Sequence, residues 1–181
     1  MNDQKVKVAV IGAGTAGLSA FNEVYKVTSD CVLINGGRYG TTCARVGCMP
    51  SKVFIQVSGN FHNRRSFKQQ GIENSDKLTL DKAEMMKYVR SLRDDFVSGV
   101  LKSVRKIGDK NIEGFAQFVE PNVLDVEGIK VIADTIVIAN GSSPVIPKPW
   151  QDYGDKIITT DDIFEQETLH DEMAVIGAGV I

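Results

Sequence analysis

Cys43 and Cys48 in GTTCARVGCMPSK (Gly40 to Lys52) have a residue type and spacing suited to thiol–disulfide chemistry. Residues five apart in a regular helix point about 140° apart around its axis, too divergent for a disulfide, so a bond between them demands a distorted first turn. Gly47 and Pro50 suit such a distortion. A strained, accessible pair is the labile, catalytic kind, and a helix N-terminus beside it is expected to lower the thiolate pKa. Two unrelated buried thiols, half of a zinc site and a structural bridge compete with that reading. No second Cys or His pair has zinc spacing, since His62 and His170 stand alone. Cys31 lies in an apolar run and is expected to be a packed core thiol.

A second chemical feature is VAVIGAGTAGLSA (Val8 to Ala20). Gly12 allows a tight turn, Gly14 lets the backbone approach a pyrophosphate, and Gly17 lets helix and strand pack closely, with Ala16 in the same turn. The following helix offers free N–H groups and a positive dipole end to phosphates. The alternative is a glycine-rich turn used only for packing. A ribose is usually held by an acid about 20 positions further on, and here Asn35 stands there, followed by Gly36. Its carbonyl can accept a ribose hydroxyl, but a neutral hydrogen bond contributes about 0.5–1.5 kcal/mol against about 1.5–3 for a charged one. Losing the carboxylate beside Arg38 also suits a 2′-phosphate, a reading the neighbouring cysteine pair argues against.

The elements that must position these residues follow a βαβ rhythm. Val6 to Gly12 is a β-branched strand, Thr15 to Val27 a helix, and Cys31 to Asn35 a second strand. A loop from Gly36 to Thr42 leads to a segment from Cys43 to about Phe67 that starts helical and closes at Gly71. Asp81 with Glu84 predicts a capping box, and Met85, Val89, Leu92, Phe96, Val100, Val104 and Ile107 predict one buried stripe on a long helix. Ile112 to Phe118, Val123 to Val126 and Ile129 to Ile132 predict a small antiparallel meander, and Thr135 to Asn140 a separate apolar strand. AVIGAG at Ala9 to Gly14 recurs at Ala174 to Gly179, where a second nucleotide-binding unit would begin.

Composition narrows the classes. The 181 residues are 43% hydrophobic and 24% charged, a globular balance for one domain or one domain plus a fragment. Lys and Arg total 21 against 23 Asp and Glu, so no basic footprint points to nucleic acid or a membrane surface. The first strand begins too early for a signal peptide and no apolar run approaches 18 residues, so the expected compartment is the cytoplasm.

Taken together, these residues resemble the pyridine-nucleotide disulfide oxidoreductases, most closely the dihydrolipoamide dehydrogenase branch, over essentially the whole chain. GTTCARVGCMPSK is similar to that family's redox box, and its Pro-Ser-Lys ending is closer to the dihydrolipoamide and mercuric reductase branches than to glutathione reductases. The resemblance implies a Rossmann-like α/β fold with a parallel sheet, a meander and a long helix, binding FAD. It implies that Cys43 meets the substrate, that Cys48 lies against the isoalloxazine as the charge-transfer thiolate, and that Lys52 lies near flavin N5, with Thr42 in the same box. GFAQF, with Gly114 and Ala116, is similar to the stretch that contacts adenine, and IANGS, with Asn140, Gly141 and Ser142, resembles the ATG box beside the flavin. TTDDIFE (Thr159 to Glu165) looks like the lead-in to an NAD domain.

The implied division is a FAD-binding domain over 1–150 and, over 151–181, a linker with the first strand of a truncated NAD-binding domain. The implied activity of the complete protein is FAD-dependent dithiol oxidation coupled to NAD(P), on a small dithiol or a lipoyl domain, in a homodimer. A mercuric reductase or another disulfide reductase shares the same motifs, and an FAD-binding module without turnover is the alternative from another class. The 181 residues alone are expected not to turn over dihydrolipoamide. Three departures from the family pattern stand out: Asn35 for the ribose acid, Thr41 for a glycine of the redox box, and Asn140 for the threonine of the ATG box. Glycine at position 41 would permit a positive φ that threonine resists.

Overall fold

A computed structural model describes residues 3–177 and 179. The βαβ unit forms where the pattern places it, as β1 (Gln4–Ile11), α1 (Thr15–Val27) and β2 (Cys31–Asn35). β2 is buried over its first four residues, as a continuous apolar strand covered on both faces must be. Alternation sends Val32 and Ile34 to one buried cluster with Leu124, Val126 and Val131, and Cys31 and Leu33 to another with Val10 and Phe21 of α1. Cys31 is 1% exposed, the packed thiol expected from its run.

The remaining strands are β3 (Asn111–Glu113), β4 (Ala116–Glu120), β5 (Val123–Val126) and β6 (Ile129–Ile138). They complete one six-stranded sheet in the order β3-β2-β1-β6-β5-β4. Strands β3, β2, β1 and β6 are mutually parallel, and β6, β5 and β4 form the antiparallel meander. Two expectations change here. Ile112 to Phe118 is not one strand, because Gly114 takes a φ of +152° that turns the chain from the parallel layer into the meander. Ile129 to Ile132 and Thr135 to Asn140 are not two strands: β6 runs on through Ala133 and Asp134, its ladder to β1 extending from Gln4–Val131 to Ile11–Ile138. One strand thereby joins meander and parallel layer.

The segment from Cys43 to Phe67 also divides, into α2 (Thr42–Arg45) and α3 (Cys48–Phe67), with Gly71 left-handed just beyond. The long helix is α4 (Lys82–Arg105), capped by Asp81, whose carboxylate accepts the N–H groups of Ala83 at 2.9 Å and Glu84 at 3.1 Å. Glu84 turns to Lys87 rather than back to the cap, so the reciprocal half of the box is not seen. The α4 stripe is rotated from its expected course. Met85, Met86, Val89 and Val104 are buried as apolar residues, Phe96 is exposed, and the charged Arg93 takes a buried position instead.

After β6 the chain makes 3-10 turns over Lys148–Lys156 and Ile163–Glu165, the second burying Phe164. Met173–Gly177 takes no strand conformation among the described residues, since the six-stranded sheet offers it no ladder partner. The rest of the repeated AVIGAG, apart from Gly179, lies outside the described residues. No helix among them is long and apolar enough to cross a membrane.

Candidate functional site

The four parallel strands end side by side, with Asn35 as the last residue of β2 and Gly12, Gly114 and Asn140 just past the carboxyl ends of β1, β3 and β6. Ligands of open α/β sheets bind along this edge. The Gly12 N–H donates to Ile34 O at 2.7 Å and the Ala139 N–H donates to Ile11 O at 2.8 Å, which fixes the first turn against the end of β6. A Cβ at Gly12 would lie 2.3 Å from Ala139 O, and one at Gly17 would lie 1.7 Å from Gly12 O, so both are closed by packed backbone. Gly14 has nothing within 4 Å of its Cβ position. It is also the N-cap of α1, with no capping side chain and no acid in the first turn. The cradle therefore combines two glycines that packing requires with one that faces open space at a helix N-terminus, the surroundings a pyrophosphate needs.

Asn35 joins three segments. Its main-chain carbonyl accepts the Gly114 N–H at 3.1 Å, its Oδ1 accepts the Ala13 N–H at 3.0 Å, and its Nδ2 donates to Gly37 O at 2.6 Å. Gly36 packs so tightly on Phe115 that a Cβ would meet the Phe115 N at 2.6 Å. Asn35 and Gly36, expected at a ribose, and the stretch from Gly114 to Ala116, expected at adenine, are thus one contiguous region. Asn140, Gly141 and Ser142 lie beyond β6, with Gly141 at a φ of +74° and open space around it.

The turn that carries the two cysteines is built differently. Thr41 adopts φ 61° and ψ 149°, a region L residues avoid and β-branched ones most of all. Its Oγ1 accepts the Ala44 N–H at 3.1 Å and caps α2. The positive φ that a glycine would supply is therefore retained by threonine, with the hydroxyl bonded in return. At the break between α2 and α3, Gly47 lies against the preceding turn, where a Cβ would come within 3.0 Å of Thr42 O. That reversal, not a distorted continuous helix, sets Cys43 and Cys48 at the adjoining ends of α2 and α3 as free thiols near enough to act on each other's ionisation. Cys43 is half-buried and Cys48 exposed.

The Cys43 pKa is raised, against the expectation of a lowered one. The hydrogen bond with the Cys48 thiol is the largest cause, followed by burial and the Cys48 charge, while the Cys48 N–H and the Lys52 ammonium pull it down. In the dithiol form the neighbouring sulfur outweighs the helix end. Thr42 and Lys52 are both exposed on this turn.

One cluster escaped the sequence reading. Arg38, Arg45 and Arg93 gather around Glu165, which pairs with Arg93 at 2.9 Å and with Arg38 at 3.5 Å. Arg45, placed between the two cysteines in sequence, buries its Nε without a partner among the described residues. Burial first, and then Arg38, push the Arg45 guanidinium below its ordinary value, against the pull of Glu165 and Asp161. The available signal was Arg93 itself, four residues after Val89 on the α4 stripe. Among the described residues no three His, Cys, Asp or Glu side chains converge as a metal site requires.

The family model for pyridine nucleotide-disulphide oxidoreductases matches residues 6–181. The chain is 33% identical over 182 residues to glutathione reductase of Schizosaccharomyces pombe, covering 95% of this chain and 38% of that protein. It is 28% identical over 183 residues to dihydrolipoyl dehydrogenase 3 of Haloarcula marismortui, covering 96% of this chain and again 38% of the relative. The chain therefore spans about 38% of the length of these relatives. In fold it resembles the HOCl-induced flavoprotein disulfide reductase RclA of Escherichia coli, solved as the Cu(II) complex of a cysteine-to-serine mutant. That match has a TM-score of 0.72 at 18% identity, over 93% of this chain and 36% of that one.

Proposed function

Since the chain belongs to the pyridine nucleotide-disulphide oxidoreductases, we propose that it is the FAD-binding, redox-disulfide part of a disulfide oxidoreductase, with Cys43 and Cys48 as its reacting thiols. The observation that carries this reading is the helix break at Gly47, which sets Cys43 in α2 and Cys48 at the start of α3 as interacting free thiols. The residues that would hold the cofactor lie at the carboxyl edge of the sheet: Gly12, Gly14, Ala16 and Gly17 at the pyrophosphate, Asn35 and Gly36 at the ribose, and Gly114 and Ala116 at adenine. Thr42, Lys52, Asn140, Gly141 and Ser142 would complete the flavin end. Bound FAD supplies a two-electron carrier between thiols and a nicotinamide.

The thiols perform the exchange. A substrate thiolate attacks Cys43 Sγ in the disulfide form, a mixed disulfide forms, and the electron pair of the broken S–S bond leaves on Cys48 as a thiolate. A second substrate thiolate then displaces Cys43, so the substrate leaves oxidised and the protein holds the dithiol. Half-burial of Cys43 leaves it reachable, and Lys52 favours its thiolate form.

Within the family, the Pro50-Ser51-Lys52 ending of the redox box, shared with mercuric reductases, together with the dihydrolipoyl dehydrogenase relatives, supports dihydrolipoamide and NAD+ as the substrates of the complete protein, with a lipoyl domain as the natural carrier and a homodimer as the assembly. Glutathione reductase among the relatives keeps a second disulfide substrate as the runner-up. Residues 1–150 would form the cofactor domain and 151–181 the lead into an NAD domain, in a cytoplasmic protein.

Purified chain should be yellow and should show a Cys43–Cys48 bond by mass spectrometry after mild oxidation and alkylation, with Cys31 alkylated only on unfolding. Cys43→Ser and Cys48→Ser should each abolish dithiol-driven flavin reduction in the complete protein, and Cys31→Ser should not. Folded, colourless protein that leaves added FAD fluorescence unquenched would refute the cofactor assignment, and equal loss in all three variants would refute the thiol assignment.

A further inference from the structure

We propose that Asn35 is a positioning residue, an amide clip that holds the Gly12–Gly14 turn and the Gly36–Gly37 turn together before any cofactor arrives, and that a carboxylate at this position would open the clip. The proposal rests on the cofactor reading above. Two contacts of opposite polarity carry it. Oδ1 accepts from the Ala13 N–H at 3.0 Å and Nδ2 donates to Gly37 O at 2.6 Å, so one end of the side chain must be an acceptor and the other a donor. Only a primary amide of this length supplies both at neutral pH. An ionised carboxylate is acceptor-only, and its second oxygen would face the Gly37 carbonyl where a hydrogen bond now stands. The usual acid at the end of the second strand binds by accepting, whereas the amide here also ties two loops of its own chain.

The clip has a consequence for affinity. Its two loops frame the pyrophosphate end and the ribose end of the cradle, and Asn35 O also receives the Gly114 N–H at 3.1 Å from the adenine end. Preorganising all three lowers the ordering cost of binding. Replacing the clip by an acid should therefore weaken FAD binding, although an acid is the expected ribose ligand at this position.

A protonated aspartic acid can both accept from Ala13 and donate to Gly37, so Asn35→Asp should close the clip again at low pH. The Gly37 carbonyl would favour the neutral carboxyl and the Ala13 N–H the ionised one; with the Gly37 contact the shorter of the two, the carboxyl is expected above its ordinary value of about 3.9, which brings the recovery into a usable range. The other charged groups around the turn are Arg38 on the same loop, with Glu165 as its ion partner, Glu113 opposite Asn35 in the β2–β3 register, and Glu127, which accepts the Phe115 N–H. Wild type measured over the same pH range controls for all of them.

The test is FAD affinity by fluorescence quenching, with amide hydrogen exchange of Ala13 in the cofactor-free chain, for wild type, Asn35→Asp and Asn35→Ala. The expected result at pH 7.5 is about a tenfold loss of affinity in Asn35→Asp, the scale of one lost hydrogen bond plus an unmatched carbonyl, together with faster Ala13 exchange. Both should recover towards pH 5 in Asn35→Asp and neither in Asn35→Ala. Tighter FAD binding by Asn35→Asp at pH 7.5, or Ala13 exchange unchanged in Asn35→Ala, would overturn the proposal. If Asn35→Asp does not fold, the Asn35→Ala exchange measurement decides alone. If wild type binds no FAD, the cofactor reading fails while the exchange data still decide whether the clip exists.

Discussion

Arg93 on α4 donates to Glu165 at 2.9 Å, with the arginine side chain 7% exposed and the glutamate 40% exposed. The same guanidinium bonds Asp94 at 2.9 Å, and Arg38 of the loop after β2 reaches the Glu165 oxygen at 3.5 Å. Glu165 thus fastens the segment that follows the sheet both to the long helix and to the loop beside the cradle.

The two partners should respond unequally to mutation. Glu165→Gln leaves a buried cation with only Asp94 for a charged partner, and should destabilise the chain by about 1–3 kcal/mol, below the usual cost of about 3–5 because Glu165 is partly solvated. Arg93→Met replaces the buried charge with an apolar side chain and leaves Glu165 to water and Arg38, so it should cost less. Urea unfolding measures both, and a larger loss for Arg93→Met would show that the guanidinium's packing matters more than its charge.

At Thr41 the backbone should gain from losing a side chain. A residue held at φ 61° and ψ 149° carries about 1–3 kcal/mol of strain, and replacing a side-chain cap by glycine costs only a few tenths. Thr41→Gly is therefore expected to stabilise by about 1 kcal/mol, offset in part by glycine's larger entropy in the unfolded chain. Thr41→Val keeps the strain, loses the cap and should destabilise. Equal destabilisation by both in chemical denaturation would mean that the hydroxyl bond to Ala44 dominates.

For Cys43 the sign of the pH effect follows from its raised pKa. The folded dithiol binds this proton more tightly than the unfolded chain, so the stabilisation is complete below the unfolded thiol value and is lost as pH rises through the folded one. Reduced protein should thus melt at lower temperature on the alkaline side. Cys48→Ala removes the largest cause of the shift and should move the alkylation profile of Cys43 to lower pH, while Lys52→Ala should move it higher. Peptide mass spectrometry against iodoacetamide reads both, and a Cys48→Ala profile identical to wild type would contradict the thiol contact.

The cradle glycines should separate folding from binding. Gly17→Ala places a Cβ 1.7 Å from Gly12 O and should destabilise by more than about 2 kcal/mol, the scale of severe overpacking. Gly14→Ala meets nothing within 4 Å and its φ of −78° suits alanine, so the chain should fold with a melting temperature near wild type. It should nevertheless bind FAD at least about tenfold more weakly, because the methyl group occupies the approach of the pyrophosphate. Circular dichroism and FAD titration of the same samples test the contrast, and unchanged affinity in Gly14→Ala would place the phosphates elsewhere.

What the sequence determined by itself was whatever short-range pattern encodes. The bounds of α1 and β2 follow from local periodicity and the glycines beside them, Asp81 marks the start of α4, and the Cys43–Cys48 spacing points to the chemistry proposed for them. The tertiary structure decided the relations that depend on distant partners. β6 is one strand because β1 pairs with it from Val131 to Ile138 on one side and β5 from Ile129 to Ile132 on the other, and no local signal distinguishes that from two shorter strands. Arg93 is buried because Glu165, 72 positions away, can neutralise it, so the stripe on α4 turns towards a charge that periodicity alone would place in water. Asn35 is an amide with both ends engaged only because Ala13 and Gly37 converge on it when the loops close. The Cys43 pKa rises because folding at Gly47 puts a second sulfur against the first, an electrostatic outcome that spacing along the chain does not contain.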